Sequence, residues 1–198
     1  GKVPPDHRVP LIPEHCQELL QQYGFLEIYV QPSAIRCFPE SDYQRAGCII
    51  AEDLSHCDIV MGVKEVPTAL LLPDTTYLFF SHTIKRQPYN RKLLQEMLRR
   101  RIRMIDYELI TFENGKRAVA FGHFAGVVGT HNGLLTYGKR TGSFQLKPAH
   151  SFRDYAEMRA SYTGIELPAM KIVVAGTGRV GAGAIEMLNM AGIRRVEK

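Results

Sequence analysis

The chain of 198 residues contains no apolar run approaching the ~18 residues that a membrane-spanning helix needs. Its opening, GKVPPDHRVP, also lacks the hydrophobic centre of a secretion signal. Neither export nor anchoring is expected, and a cytoplasmic location follows. Cysteine is equally sparse: Cys16, Cys37, Cys48 and Cys57 are separated by 21, 11 and 9 residues and never form Cys-x-x-Cys. A zinc knuckle is therefore excluded by spacing. In the pairs His15-Cys16 and His56-Cys57, successive side chains diverge, so neither pair makes a metal site, and no metal is expected. Scattered thiols without an export signal suit a reducing compartment. Low-complexity tracts and internal repeats are lacking too.

What is present describes an ordinary folded chain. Hydrophobic residues make up 45% and charged residues 23%, which excludes disorder and fibrous classes. Twenty-five basic against twenty acidic residues leave +5, a mild excess that suits anionic ligands without demanding nucleic acid. The one dense basic cluster, Arg99-Arg100-Arg101-x-Arg103, ends a predicted helix. Cations there complement the helix dipole, and stacking aromatics are absent from the helix, so no nucleic-acid partner is expected.

Strands alternate with helices along the sequence. Pro13–Tyr23 has apolar residues at helical spacing, and Gly24–Val30 is β-rich. A short helix around Ser41–Ala46 precedes strands at Cys48–Ala51, Ile59–Val63 and Tyr77–Phe80. Tyr89–Arg101 reads as an amphipathic helix with Leu93, Leu94, Met97 and Leu98 inward, followed by a strand over Ile102–Ile105. Asn114-Gly115, between Ile110–Phe112 and Arg117–Phe121, signals a hairpin at the sheet edge. A helix over Gly126–Arg140 includes Gly129, Gly133 and Gly138, expected to permit close packing. Tyr155–Tyr162 forms another helix, and Lys171–Ala175 a last strand. The alternation predicts an α/β fold: a Rossmann-like substrate domain over 1–125, then a connecting helix and the first βα unit of an incomplete dinucleotide-binding Rossmann domain over 126–198.

That unit carries the most specific motif. Gly176-Thr-Gly178-Arg179-Val180-Gly181 is Gly-x-Gly-x-x-Gly directly after an apolar strand and before a helical run. The first glycine allows a tight turn, the second lets backbone approach a pyrophosphate, and the third lets the helix pack close to the strand. An ordinary βα turn is the competing explanation, and the flanking elements favour dinucleotide binding. The acidic residue that reads the ribose is expected ~20 residues further on, past Lys198. The chain thus has the look of a fragment, with NAD the expected cofactor and NADP left open.

A second constellation lies at strand ends. Lys64, His82 and Glu108 each stand just beyond the carboxyl end of a predicted strand. In a parallel sheet those ends share one edge, where α/β proteins place ligands. Taken singly, a surface lysine, a loop histidine and a solvated acid are the commoner roles. Their shared placement favours a site, in which a lysine desolvated beside apolar walls becomes a usable proton acceptor.

Val63-Lys-Glu-Val-Pro67, Phe79-Phe-Ser-His-Thr-Ile-Lys-Arg-Gln87, Ile105-Asp-Tyr-Glu108, Lys116-Arg-Ala-Val-Ala-Phe-Gly122 and the glycine loop follow one another in an order that resembles the saccharopine dehydrogenase family. That family shares the two-domain plan of alanine dehydrogenase, whose opening is echoed by Arg8-Val-Pro-Leu-Ile-Pro13. The resemblance implies NAD-linked oxidation of saccharopine, a small amino-acid substrate, to lysine and 2-oxoglutarate, or the reverse reaction. It implies that Lys64 takes the amine proton, that His82 is acid and base in imine hydrolysis, and that Glu108 tunes the pair. Arg8 and Arg117 would hold substrate carboxylates, and Gly176, Gly178, Arg179, Val180 and Gly181 the cofactor. The resemblance also implies a complete enzyme roughly twice as long, with a strand ahead of Lys2, so that this chain alone is expected to be inactive. An alanine dehydrogenase-like activity or a non-catalytic nucleotide- or nucleic-acid-binding module are the alternatives. The oligomeric state is not fixed by the sequence.

Overall fold

A computed structural model describes residues 6–196; the opening segment 1–5, where a leading strand is absent from the sequence pattern, lies outside them. The chain divides into two compact units, Gly1–Val119 and Ala120–Lys198.

The first unit begins with helix α1 (Pro13–Gln22), whose first-turn proline has no amide for the helix to leave unpaired. Strand β1 (Tyr29–Val30) pairs in parallel with β2 (Ile49–Ile50), and helix α2 (Glu40–Arg45) lies between them in sequence. The β-rich stretch from Gly24 is thus a strand only at its end. Its partner is two residues long, and ahead of Tyr29 the Ile28 carbonyl still meets it, accepting from the Ile49 amide at 2.9 Å. Cys16, Tyr43 and Cys48 form a buried cluster here, and all four cysteines are free thiols.

A three-stranded parallel sheet follows, in the order β3 (Ile59–Lys64), β4 (Thr76–Phe80), β5 (Arg103–Asp106). The central strand Thr-Tyr-Leu-Phe-Phe is apolar without alternation, as burial on both faces requires. Tyr77 and Phe79, two residues apart, point to one face and pack with Leu71 and with Leu93 and Met97 of helix α3 (Arg91–Arg99). Leu94 and Leu98, expected inward, are 42% and 70% exposed. One helical face of nine residues covers the strand, and that face is taken by the i, i+4 pair Leu93 and Met97. The basic end of α3 is charge-paired: Arg99 and Arg100 meet Glu96, and Arg101 meets Asp74.

The Asn114-Gly115 hairpin is reduced to a single antiparallel bridge, Thr111 to Arg117, and adds no strand to the sheet. Gly115 takes the left-handed conformation the turn needs, and the Asn114 side chain accepts from the Lys116 amide. The turn signal was sound, but the arms pair only through the bonds nearest the turn.

The second unit is built on α4 (Gly122–Thr141), α5 (Tyr155–Ala160) and α6 (Arg179–Met190), around Val127, Leu134, Met158, Tyr162 and Met187. Helices α4 and α6 touch backbone to backbone. A Cβ on Gly126 would fall 2.0 Å from the Val180 carbonyl oxygen, and one on Gly183 2.0 Å from that of His123. Of the glycines expected to serve packing, Gly138 does, against Phe144, whereas Gly129 and Gly133 face open space. Lys171–Ala175 is not a strand: a ladder needs a neighbour, and among the described residues this unit offers none. Val173 is accordingly 92% exposed.

Candidate active site

Lys64 is the last residue of β3, His82 follows β4 by two residues, and Glu108 follows β5 by two. Parallel pairing brings these three chain positions to one sheet edge. Between Met61 and Lys64 the β3–β4 register slips, so that Lys64 stands opposite Phe80. The slip re-aims the last side chain of β3, a common use of such irregularities. The result is a continuous polar chain: Lys64 Nζ lies 3.3 Å from His82 Nε2, and His82 Nδ1 lies 3.1 Å from Glu108 Oε2.

The partners fix the direction of these bonds. Burial lifts the Glu108 carboxyl, but bonds from His82 and Lys85 and the charges of Lys85 and Arg117 outweigh it and hold the group below the usual carboxylate range. An ionised carboxylate only accepts, so Nδ1 carries the proton facing it, and Nε2 is left to accept from the Lys64 ammonium. Lys85 Nζ, 3.1 Å from Glu108 Oε1, then bonds to that oxygen and not to the protonated Nδ1 at 3.4 Å. Arg117 also reaches Oε1, so Glu108 is shared by a histidine, a lysine and an arginine. With His82 neutral, the charges of Lys64, Lys85, Arg117 and Glu108 leave the cluster net positive, which suits a carboxylate-bearing ligand.

The support behind these groups comes from residues the sequence pattern did not single out. Ser81 Oγ donates to Asp106 Oδ2 at 2.5 Å, while Asp106 Oδ1 accepts from the Glu108 amide at 2.8 Å. One buried carboxylate therefore ties the end of β4 to the end of β5. His82 has left-handed backbone, φ 56°, and its carbonyl is held by Asn90 Nδ2 at 3.1 Å. Such a conformation costs roughly 1–3 kcal/mol outside glycine and persists where neighbours over-determine it. Phe80 underlies the pair, its ring stacked with His82 at 6.1 Å and 5.8 Å from Lys64 Nζ. Lys85 and Asp106 sit within the Ser-His-Thr-Ile-Lys and Ile-Asp-Tyr-Glu stretches, three residues after His82 and two before Glu108, and that spacing was the available signal.

Of the predicted arginines, Arg117 joins this cluster. Arg8 lies in a bidentate pair with Asp6, at 2.8 and 2.7 Å.

In the second unit, Gly176 adopts φ 96° and Gly178 caps α6. A Cβ on Gly181 would fall 2.1 Å from the Gly176 carbonyl oxygen, so the first helical turn lies directly on the loop. Side chains at 176 and 178 would meet nothing within 4 Å, which leaves the loop backbone approachable. Arg179 and Val180 pack their side chains toward Gly122 of α4. This loop at the start of a twelve-residue helix fits a dinucleotide pyrophosphate. Among the described residues, no cluster of three or more His, Cys, Asp or Glu could hold a metal, and no helix is long and apolar enough to cross a membrane.

The family model for the alanine dehydrogenase/PNT N-terminal domain matches residues 2–128. The chain belongs to the alanine dehydrogenase/PNT family. Within it, the chain is 38% identical over 202 residues to the mitochondrial alpha-aminoadipic semialdehyde synthase of Rattus norvegicus, covering 93% of this chain and 22% of that protein. It is 28% identical over 208 residues to the saccharopine dehydrogenase [NAD(+), L-lysine-forming] of Candida glabrata, covering 96% and 55%. Among solved structures, an L-alanine dehydrogenase shares the fold at TM-score 0.61 and 16% identity, over 94% of this chain and 49% of that one. The α/β, Rossmann-like class is thus that of the alanine dehydrogenase/PNT family, and the chain spans about half or less of each of these relatives.

Proposed function

We propose that this chain carries the substrate-side site of an NAD-linked oxidoreductase acting on a CH–NH bond, with saccharopine as substrate and lysine and 2-oxoglutarate as products. The observation that carries the proposal is the Lys64–His82–Glu108 chain at the carboxyl edge of a parallel sheet. The names of the relatives support the reaction and the cofactor: one is a lysine-forming saccharopine dehydrogenase using NAD. Gly176, Gly178, Arg179, Val180 and Gly181 would hold a nicotinamide dinucleotide, which would supply the hydride acceptor.

Loss of hydride from the carbon beside the secondary amine, with loss of the N–H proton, leaves a C=N bond. Lys64 takes that proton. It reaches neutrality by passing its own proton to His82 Nε2, and Glu108 stabilises the imidazolium so formed. Water then adds across C=N, and the adduct collapses to a ketone and a primary amine, with His82 moving protons on and off. Arg117 and Arg8 hold substrate carboxylates, the task for which a planar guanidinium is best suited. Four free thiols suit a reducing compartment, either the cytosol or the mitochondrion named for the rat relative.

The test is the full-length protein assayed with saccharopine and with alanine at matched NAD. Turnover of saccharopine supports the proposal, and turnover of alanine alone rejects it in favour of an alanine dehydrogenase activity.

A further inference from the structure

Ser81 and Asp106 stand at neighbouring strand ends, Ser81 just past β4 and Asp106 as the last residue of β5. Each closes a small turn with its own side chain. Ser81 Oγ accepts from the Thr83 amide at 3.1 Å, in a turn that spans His82, and Asp106 Oδ1 accepts from the Glu108 amide at 2.8 Å, in a turn that ends on Glu108. The two turns are joined head to head, Ser81 Oγ donating to Asp106 Oδ2 at 2.5 Å. Asp106 thus anchors both partners of the His82–Glu108 contact, Glu108 through its amide and His82 through Ser81. Ser81 is 1% and Asp106 6% exposed, so neither side chain is open to a ligand and water does not stand in for their bonds.

The contact they anchor is contested. Two ammonium groups face the His82 ring, Lys64 Nζ at 3.3 Å from Nε2 and Lys85 Nζ at 3.4 Å from Nδ1. A neutral imidazole accepts at one nitrogen only. Glu108 Oε2, 3.1 Å from Nδ1, keeps the ring proton there and leaves Nε2 for Lys64. Were Glu108 or the His82 turn to shift, Nδ1 would become an acceptor for Lys85, and Nε2 would turn a proton toward the Lys64 ammonium.

We propose that Asp106 is a positioning residue of this site: by anchoring Glu108 and, through Ser81, the His82 turn, it keeps His82 in the tautomer whose bare nitrogen faces Lys64 and not Lys85. The effect on turnover rests on the reading of Lys64 and His82 as the proton-transfer pair of CH–NH chemistry; the effect on the tautomer does not.

In the full-length protein, Ser81→Ala cuts the tie to His82 alone, and Asp106→Ala cuts both ties. Ser81→Ala removes a single oxygen and carries the test where Asp106→Ala does not fold. The readout is the pair of NMR shifts of the His82 ring nitrogens in protein labelled at histidine nitrogen, assigned by their loss in His82→Gln and recorded at mildly alkaline pH without substrate. In the wild type one nitrogen is expected to be protonated and the other bare, with well-separated shifts. In Ser81→Ala the two shifts converge as the tautomers mix, and kcat falls about tenfold or more while KM changes less. Converged shifts in the wild type, or separated shifts in Ser81→Ala, overturn the proposal whatever happens to the melting temperature. Full kcat beside converged shifts overturns it too. Turnover is measured with saccharopine or alanine, whichever the wild type uses. A wild type that uses neither defeats the proposed function, and the His82 shifts then decide the positioning role by themselves.

Discussion

Lys64, His82 and Glu108 are linked in one chain of polar contacts, Lys64 Nζ to His82 Nε2 and His82 Nδ1 to Glu108 Oε2. Replacing Lys64 with methionine keeps the apolar stem and removes the amine. In the full-length enzyme kcat is expected to fall about 10² to 10⁴-fold, the usual cost of losing a proton-transfer group, with a smaller change in KM. Full activity in Lys64→Met would reduce Lys64 to a surface residue. Arg117 pairs with Glu108, and the proposed function gives it the further task of holding a substrate carboxylate. A charge-assisted bond of that kind is worth roughly 1.5 to 3 kcal/mol, so Arg117→Ala is expected to raise the saccharopine KM about tenfold to a hundredfold in steady-state assays. The three clustered positions were legible from sequence because each stands at or just past the end of an apolar strand. Lys85, Asp106, Ser81 and Asn90 were not, since what qualifies them is a partner 2 to 25 residues away.

The parallel elements were read closely where an apolar run meets a flanking polar residue: β3, β4 and α3 each fall within a few residues of their predicted bounds. Misreadings arose where an element depends on a partner. Lys171–Ala175 has strand composition and, among the described residues, no strand beside it, and the hairpin arms keep only the bonds nearest their turn. Glycine roles in α4 and α6 divide the same way, by what lies opposite. Gly183→Ala, whose Cβ would strike the His123 carbonyl, is expected to destabilise the chain by about 3 kcal/mol or more. Gly133→Ala, facing open space, is expected to stabilise it by up to about 1 kcal/mol through helix propensity. Denaturant midpoints compare the two directly. On α3, bonds from Arg99 and Arg100 lower the Glu96 carboxyl from 4.5 to about 2. A depressed carboxylate contributes stability that is complete above the unfolded value and lost as pH falls through the folded one. The stability gap between wild type and Glu96→Gln should therefore be widest above pH 4.5 and close toward pH 2.

At the scale of the molecule, the site belongs to no single segment. Lys64 and His82 are 18 positions apart, and His82 and Glu108 are 26 apart, joined only through parallel pairings that require crossover connections. Such contacts close large loops, and their entropy must be met before any bond in the site forms. The helices α1, α3 and α4 have no such requirement. During refolding from denaturant, helical circular dichroism is expected to recover ahead of fluorescence or activity signals that report the Lys64–His82–Glu108 chain, and simultaneous recovery would contradict this order. Assembly of the Lys64–His82–Glu108 chain is then also a folding checkpoint: a chain that has its helices but not both parallel pairings carries all three residues and no assembled cluster.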